Sequence, residues 1–397
     1  MAVRFLHTAD WHLGRTIRNR SRTDEFAAVL DELVRIAVDE RVDAVLVAGD
    51  VYDSRAPGPD ADALCIETLV RLHEAGTAVA LIPGNHDSPS RLAAFAPLLA
   101  RIGVRVVPRV VRPDEGGVVE LAARDGSTAV LVAAVPFVPE RRFAEAATLF
   151  DAPEAWHGTY AEGVGRILDA MAAAFRTDRV NVLLAHLFTD GALLGGGERQ
   201  VSIGLDYAVS PARLPATAHY VALGHVHRPQ PVAGAPAPAR YAGSLLQLDF
   251  GEADERKSVT IVEAEPGRPA RVREVPLSGG RRLVDLRGTF DRVVEAASGL
   301  QDAWLRCFVE TDGPVPGLAD RLREAVPNAL DVHLVYERAP EDSPGAAPVG
   351  SLAPRDQFAA YYRQVHGVEL PPVIAAAFDE LLAEVREAEG EAPAAPT

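Results

Sequence analysis

Residues 44–53 read AVLVAGDVYD and residues 79–87 read VALIPGNHD. Each is a short aliphatic run that closes on glycine and then on Asp, Asn or His. A run that is apolar at every position is what a strand covered on both faces needs, the usual state of a strand in a parallel sheet. The polar residues then fall just past the strand's C-terminal end, the edge where open α/β sheets bind ligands. Working outward, the same form recurs in VRFLHTADWH (3–12), VNVLLAH (180–186) and YVALGHVH (220–227). The five strands deliver, in order, Asp10 and His12; Asp50 and Asp53; Asn85, His86 and Asp87; His186; and His225 and His227. Gly49, Gly84 and Gly224 precede three of these clusters, which allows the sharp turns that expose a ligand at a strand tip.

Between the strands the period changes. Phe26, Val29, Leu30, Leu33, Val34 and Ala37 recur at helical spacing, with Thr23 placed to cap the helix. Helices are also expected over 61–73 and 159–175, and strands over 104–108 and 129–136. The alternation predicts an α/β fold with central β-sheet covered by helices. Residues 240–277 turn strand-rich, which extends a first domain to 1–279. A small α+β domain is expected over 280–338, with strands at 304–310 and 331–336 around a helix at 318–325. A Pro/Gly/Ala linker, 339–354, leads to a helical segment over 355–389, and 390–397 reads as a disordered end.

The clusters hold nitrogen and oxygen donors and no sulfur, a set that suits Mn²⁺, Fe²⁺, Zn²⁺ or Mg²⁺. They are too many for one tetrahedral ion. Two ions sharing a carboxylate use them all, and two metals about 3.5–4 Å apart clamp the attacking and leaving oxygens of a phosphoryl transfer. Asp-x-His or GD alone is a weak signal. GNHD after a strand is stronger, and five clusters in order, each on a strand end, are stronger still.

The order DxH, GDxxD, GNHD, H, GHxH resembles the calcineurin-like metallophosphoesterases. The opening HTADWHLGR and the later GSLLQLDFGE are similar to the nuclease subunits of double-strand-break repair complexes within that superfamily. The resemblance is dense over 1–251. It implies a four-layer sandwich, a small capping domain and a C-terminal helical tail. It implies one ion on Asp10, His12, Asp50 and His227, and a second on Asp50, Asn85, His186 and His225, most simply Mn²⁺, with Mg²⁺ or Fe²⁺ as alternatives. It makes His86 a catalytic group at the scissile phosphate rather than a ligand. Asp87 and Asp53 are expected to orient neighbouring ligands; at Asp53 archaeal relatives often carry histidine. The implied partners are DNA, an ATPase with a coiled coil, and a second copy of the chain within a heterotetramer. The implied activity is exonuclease on double-stranded ends and endonuclease on single strands or hairpins.

Other residues have plainer readings. Arg15, Arg18, Arg20 and Arg22 form a basic run beside the first cluster, and Arg91 follows GNHD. These arginines are candidate DNA-phosphate contacts. Trp11 is expected to pack beneath the metal loop, and His7 to lie close to it. Phe358, Tyr361, Tyr362, Val373, Ile374, Phe378, Leu381, Leu382 and Val385 line the tail helices. They are the expected docking surface for the partner's coiled coil.

The chain has 397 residues, 48% hydrophobic and 24% charged, an ordinary globular balance. Two cysteines, Cys65 and Cys307, exclude a disulfide framework and a Cys-based zinc ribbon. No leader-like or membrane-spanning run is expected, which favours a cytoplasmic protein. A net charge of -16 excludes bulk coating of nucleic acid or anionic membrane. Residues 340–397 carry -7 of it, away from any expected DNA path. Lys257 is the one lysine beside 39 arginines, a bias with no functional reading of its own. Two competing hypotheses stand beside a nuclease: a protein or nucleotide phosphatase on the same scaffold, and a binding module with a silent metal site. GNHD and GDVYDSR depart from the GNHE and carboxylate–Arg pattern of Ser/Thr phosphatases, and the complete ligand set argues against a silent site.

Overall fold

The computed structural model describes residues 2–124, 126, 129–139, 159–198, 208–313, 315–336, 353–366 and 369–388. The expected linker (339–354), apart from its last two residues, and the end 390–397 lie outside them, as does His157. Two compact units emerge, Met1–Val335 and Tyr336–Thr397.

In chain order the first unit begins β1 (Val3–Thr8), α1 (Thr23–Asp39), β2 (Ala44–Val47), α2 (Pro59–Glu74), β3 (Ala78–Leu81), α3 (Pro89–Leu99), β4 (Val104–Val106) and β5 (Val118–Ala122). It continues β6 (Ala129–Val135), α4 (Tyr160–Ala172), β7 (Val180–His186), β8 (Tyr220–Gly224), β9 (Gln230–Pro231), β10 (Ala239–Tyr241), β11 (Ser258–Glu265) and β12 (Arg268–Pro276). The strands form two six-stranded sheets, ordered β12-β11-β1-β2-β3-β4 and β5-β6-β7-β8-β10-β9. β1 to β4 are mutually parallel, as are β6, β7, β8 and β10; the antiparallel strands sit toward the edges.

The side-chain alternation shows why the central strands are apolar throughout. In β1, Phe5 points between the sheets and Leu6 points out toward α1. In β2, Ala44 and Leu46 face inward while Val45 and Val47 meet the helices. In β7, Val182 and Leu184 face inward and Leu183 meets the α4 side. The inner layer mixes small and large side chains, among them Ala80, Ala134, Ala222, Leu46 and Tyr220, so the two sheets interdigitate. The result is the expected four layers: helix, sheet, sheet, helix.

A third sheet is three-stranded and parallel, β13 (Arg282–Gly288), β14 (Ala303–Glu310) and β15 (Ala329–Val335). Helices α5 (Phe290–Ala297) and α6 (Leu318–Ala325) pack on it through Val293, Leu318 and Leu322 against Leu305, Cys307 and Val309. Cys65 and Cys307 are free and buried. The sheet is tied to the larger body through α1. Glu32 accepts hydrogen bonds from the backbone N–H groups of Ser278 and Gly279, and Glu25 accepts from Trp304 Nε1 and Arg281 N.

Several expectations need correction. Thr23 opens α1 instead of capping it; Arg22 occupies the cap and no side chain closes it, while Asp24 and Glu25 in the first turn complement the helix dipole. The elements α3, β5, β13 and α5 were not anticipated. α3 starts directly after GNHD, with the Ser88 hydroxyl accepting from Arg91 N.

The second unit contains α7 (Pro354–His366) and α8 (Pro372–Ala388). Phe358 and Phe378 stack face to face with centroids 4.4 Å apart, and Arg355 pairs with Asp379 at 3.2 Å. Phe358 and Phe378 thus pack on each other, whereas Tyr361, Val373 and Leu381 remain exposed. Among the described residues, no helix is long and apolar enough to cross a membrane.

Candidate metal centre

The tips of β1, β2 and β3 in one sheet meet the tips of β7 and β8 in the other. The loop after β1 supplies Asp10 and His12, that after β2 Asp50, and that after β3 Asn85 and His86. His186 ends β7, and the loop after β8 supplies His225 and His227. All eight side chains are buried. Asp10, His12, Asp50 and His225 have φ values of 50°, 49°, 48° and 102°. Left-handed backbone at non-glycine residues is strained by about 1–3 kcal/mol each, and such residues persist where the surrounding fold forces them.

The glycines act in two ways. Gly49 needs its positive φ of 92°. Gly84 is needed for space: a Cβ there collides with the Asp50 carboxylate.

The donors converge on two foci. His12 Nε2 and His227 Nε2 are 3.1 Å apart, and one donor atom from each of Asp10, His12 and His227 lies within 4.8 Å of the others. Asn85 Oδ1 lies 2.8 Å from His225 Nδ1 and 3.0 Å from His186 Nε2. Asp50 stands between them, its Oδ2 3.6 Å from both His12 Nε2 and His186 Nε2. This is the placement of a bridging carboxylate. Backbone anchors hold both acids: Asp10 accepts from His225 N at 3.0 Å and Asp50 Oδ1 from His86 N at 2.8 Å.

The tautomers follow from the partners, because a carbonyl or carboxylate can only accept. His186 donates from Nδ1 to the Ala48 carbonyl, and His227 from Nδ1 to the Glu252 carboxylate. Both therefore turn an Nε2 lone pair into the site. His86 donates from Nδ1 to the Asp53 carbonyl at 2.8 Å, and its ring stands edge-on to His12.

Electrostatics without a cation are unfavourable. Burial and the neighbouring Asp50 carboxylate push Asp10 well above the usual range. Burial opposes ionisation of Asp50 too, but His186, His12 and His86 outweigh it and hold that carboxyl below its usual value. Burial lowers His12 to about 4 and lowers His186 as well, so the charge these rings lend Asp50 is present only in acid and is absent near neutrality. Two buried acids facing neutral imidazole lone pairs form a donor set that fits divalent cations. The centre is a dinuclear metal site.

The supporting residues differ in part from expectation. Asp87 touches no ligand side chain. Its carboxylate accepts from Val51 N, Tyr52 N and Gly84 N at 3.1, 2.9 and 2.9 Å, tying the loop that carries Asp50 to the one that carries Asn85. Burial and Asp50 push Asp87 up to about 7. Asp53 lies 3.4 Å from His12 Nδ1 and pairs with Arg15 at 3.0 Å, so it faces one of the candidate ligands. Burial raises Asp53, but His12 and Arg15 win and lower it to about 2. Trp11 is fully buried and donates to Thr8 Oγ1, the packing role expected of it. His7 lies between the sheets, hydrogen-bonded to Tyr220, away from the ligands.

The arginines separate. Arg22 is buried, paired with Glu25 and bound to the Gln247 carbonyl, so it is a structural residue and no DNA contact. Arg91 pairs with Asp62 and lies over Phe95. Arg18 pairs with Asp331 of the third sheet at 2.9 Å. Arg20 is exposed.

Four functional neighbours went unrecognised in the sequence. Glu252 and Lys257 lie behind His227, Glu198 accepts from His227 N, and Phe137 stacks beside His225. The signal for Glu252 was the GSLLQLDFGE motif, which ends on it.

Residues 3–229 match the family model of the calcineurin-like phosphoesterases. Residues 280–366 match that of the type 5 capsule protein repressor C-terminal domain. Over 377 residues the chain is 34% identical to the D subunit of the SbcCD nuclease of Bacillus subtilis, covering 93% of this chain and 95% of that one. The corresponding protein of Rhodobacter capsulatus is 33% identical over 390 residues, covering 91% and 94%. That of Escherichia coli K12 is 28% identical over 346 residues, covering 85% of each. The chain belongs to the calcineurin-like phosphoesterases. Within them its place is among the D subunits of SbcCD nucleases.

Proposed function

We propose that the chain is the metal-dependent nuclease subunit of an SbcCD-type complex, hydrolysing phosphodiester bonds of DNA in repair and replication. The observation that carries this reading is Asp50 Oδ2, equidistant from a ligand histidine of each half-site. Asp10, His12, Asp50 and His227 hold one ion, and Asp50, Asn85, His186 and His225 the other, with Mn²⁺ the favoured metal. Bound ions supply Lewis-acid stabilisation of the phosphate and lower the pKa of a water. His86, fixed by the Asp53 carbonyl, presents Nε2 to the scissile phosphate and serves the leaving oxygen. On this reading it acts as an exonuclease on double-stranded ends and an endonuclease on single strands or hairpins.

DNA approaches through Arg15, Arg18 and Arg20, where Arg15 and Arg18 exchange their pairing with Asp53 and Asp331 for the phosphates. Exposed Tyr361 and Leu381, with Leu382 and Tyr362, dock the tail on the coiled coil of an SbcC-like ATPase. The assembly is a heterotetramer built on a homodimer, and it works in the cytoplasm. The discriminating assay offers linear duplex DNA and a phosphopeptide side by side with Mn²⁺. Cleavage of DNA is expected; turnover of the phosphopeptide alone overturns the nuclease reading in favour of a phosphatase.

A further inference from the structure

We infer that Glu252, held by Lys257, is the positioning residue for His227 and makes the Asp10–His12–His227 half of the centre the tighter of its two ion sites. The inference rests on the dinuclear reading above.

Glu252 is 0% exposed. Its Oε1 accepts from His227 Nδ1 at 3.0 Å, while Oε2 accepts from Leu248 N at 2.9 Å and pairs with Lys257 Nζ at 2.8 Å. Lys257 Nζ also donates to the His227 carbonyl at 2.9 Å and to Glu255 Oε2 at 2.7 Å. His227 is therefore fixed at its ring by Glu252, at its carbonyl by Lys257, and at its N–H by Glu198, 3.1 Å away. Gly197 closes the cluster: a Cβ there would stand 2.7 Å from Glu252 Oε1 and 2.9 Å from His227 Nδ1.

Lys257 is the sole lysine of a chain that otherwise uses arginine for every basic residue. Its ammonium points three donors at three acceptors in one compact buried space. A planar guanidinium cannot reproduce that arrangement. Burying such a pair is expensive unless every donor and acceptor is met, as here.

The two halves of the centre are supported unequally. His227 is backed by a carboxylate, whereas His186 in the other half is backed by the neutral Ala48 carbonyl. A carboxylate behind a ligand imidazole fixes its tautomer and raises its basicity, and losing it weakens metal affinity by about 10–100-fold.

The test is Mn²⁺ binding by the full chain without DNA, followed by calorimetry and by electron paramagnetic resonance, which distinguishes coupled from isolated Mn²⁺. Wild type is expected to take two ions in unequal steps with a coupled spectrum. E252Q, which keeps the side chain's shape, is expected to weaken the tighter step by about 10–100-fold and leave the other unchanged, so that the first ion is taken up at correspondingly higher Mn²⁺. K257R keeps the charge and is expected to do the same, with a circular dichroism spectrum like that of wild type. Two ions bound at wild-type affinities by E252Q, or by K257R if E252Q does not fold, overturn the positioning role alone. A wild type that takes up fewer than two ions overturns the dinuclear reading with it.

Discussion

The Nε2 atoms of His12 and His227 stand 3.1 Å apart, although 215 residues separate them in the chain. Two buried imidazole nitrogens at that distance can share one proton or one cation. Binding to the folded state alone stabilises it by mass action, by about 2.7 kcal/mol at a free concentration 100-fold above Kd. The thermal midpoint should therefore rise with added Mn²⁺ and fall on chelation. A midpoint indifferent to both would count against the metal centre.

His86 stands with His12 and Asp50 in the cluster, and the proposed ligand sets leave it free to act on the phosphate. His86→Gln should lower DNA cleavage by about 10²–10⁴-fold, the range for loss of a general acid or electrostatic group. Mn²⁺ stoichiometry and DNA affinity should not change. Undiminished cleavage would falsify the assignment.

Asp87 satisfies three buried backbone N–H groups. Asp87→Ala leaves all three unmet, at about 1–3 kcal/mol each, and frees the loops that carry Asp50 and Asn85. Denaturant unfolding should show a loss of at least about 3 kcal/mol, with weaker Mn²⁺ uptake. Asp87→Asn should fall between, since an amide offers one acceptor oxygen and turns donors toward a donor.

His7 titrates far from its ordinary value. Burial first, and Arg240 second, lower it to about 3. The unfolded chain then takes up this proton near pH 6.5 while the folded chain refuses it. Its stabilising contribution is complete above pH 6.5 and declines as pH falls toward 3, by about 1.4 kcal/mol per unit. His7→Gln should flatten the acid limb of a stability–pH curve by that slope. A parallel curve would contradict it.

The tail forms its own compact unit. Removal of residues 355–397 should preserve Mn²⁺-dependent cleavage and abolish co-purification with the ATPase partner. A truncated chain that still co-purifies removes the docking assignment. Residues 340–397 carry -7 of the net charge of -16, so the rest of the chain is acidic as well. The isolated chain should bind DNA weakly at physiological salt, and tight binding would contradict this.

The central strands were legible in sequence because both of their faces are covered, and α1 because its buried residues recur at helical period. β2 and β7 announce themselves because every position is buried. β5 and β13 did not, since each leaves polar residues on an open face and neither has a clean period. The ligands were legible because Asp and His at a strand tip have no packing purpose. Arg22 misled because four arginines in one short run look alike in sequence. Only the fold shows that Glu25 and the Gln247 carbonyl draw one of them inside. Lys257 was unreadable for the opposite reason. A single lysine carries no pattern, and its three acceptors come from positions that only the folded loop gathers.

The origin of the ligands on two sheets has a biological corollary. Asp10, His12, Asp50 and Asn85 hang from one sheet, and His186, His225 and His227 from the other. Neither sheet alone can hold a bridged pair of ions. A chain emerging during synthesis cannot assemble the full donor set until strands of both sheets, and the Glu252–Lys257 pair behind His227, have been made and brought together.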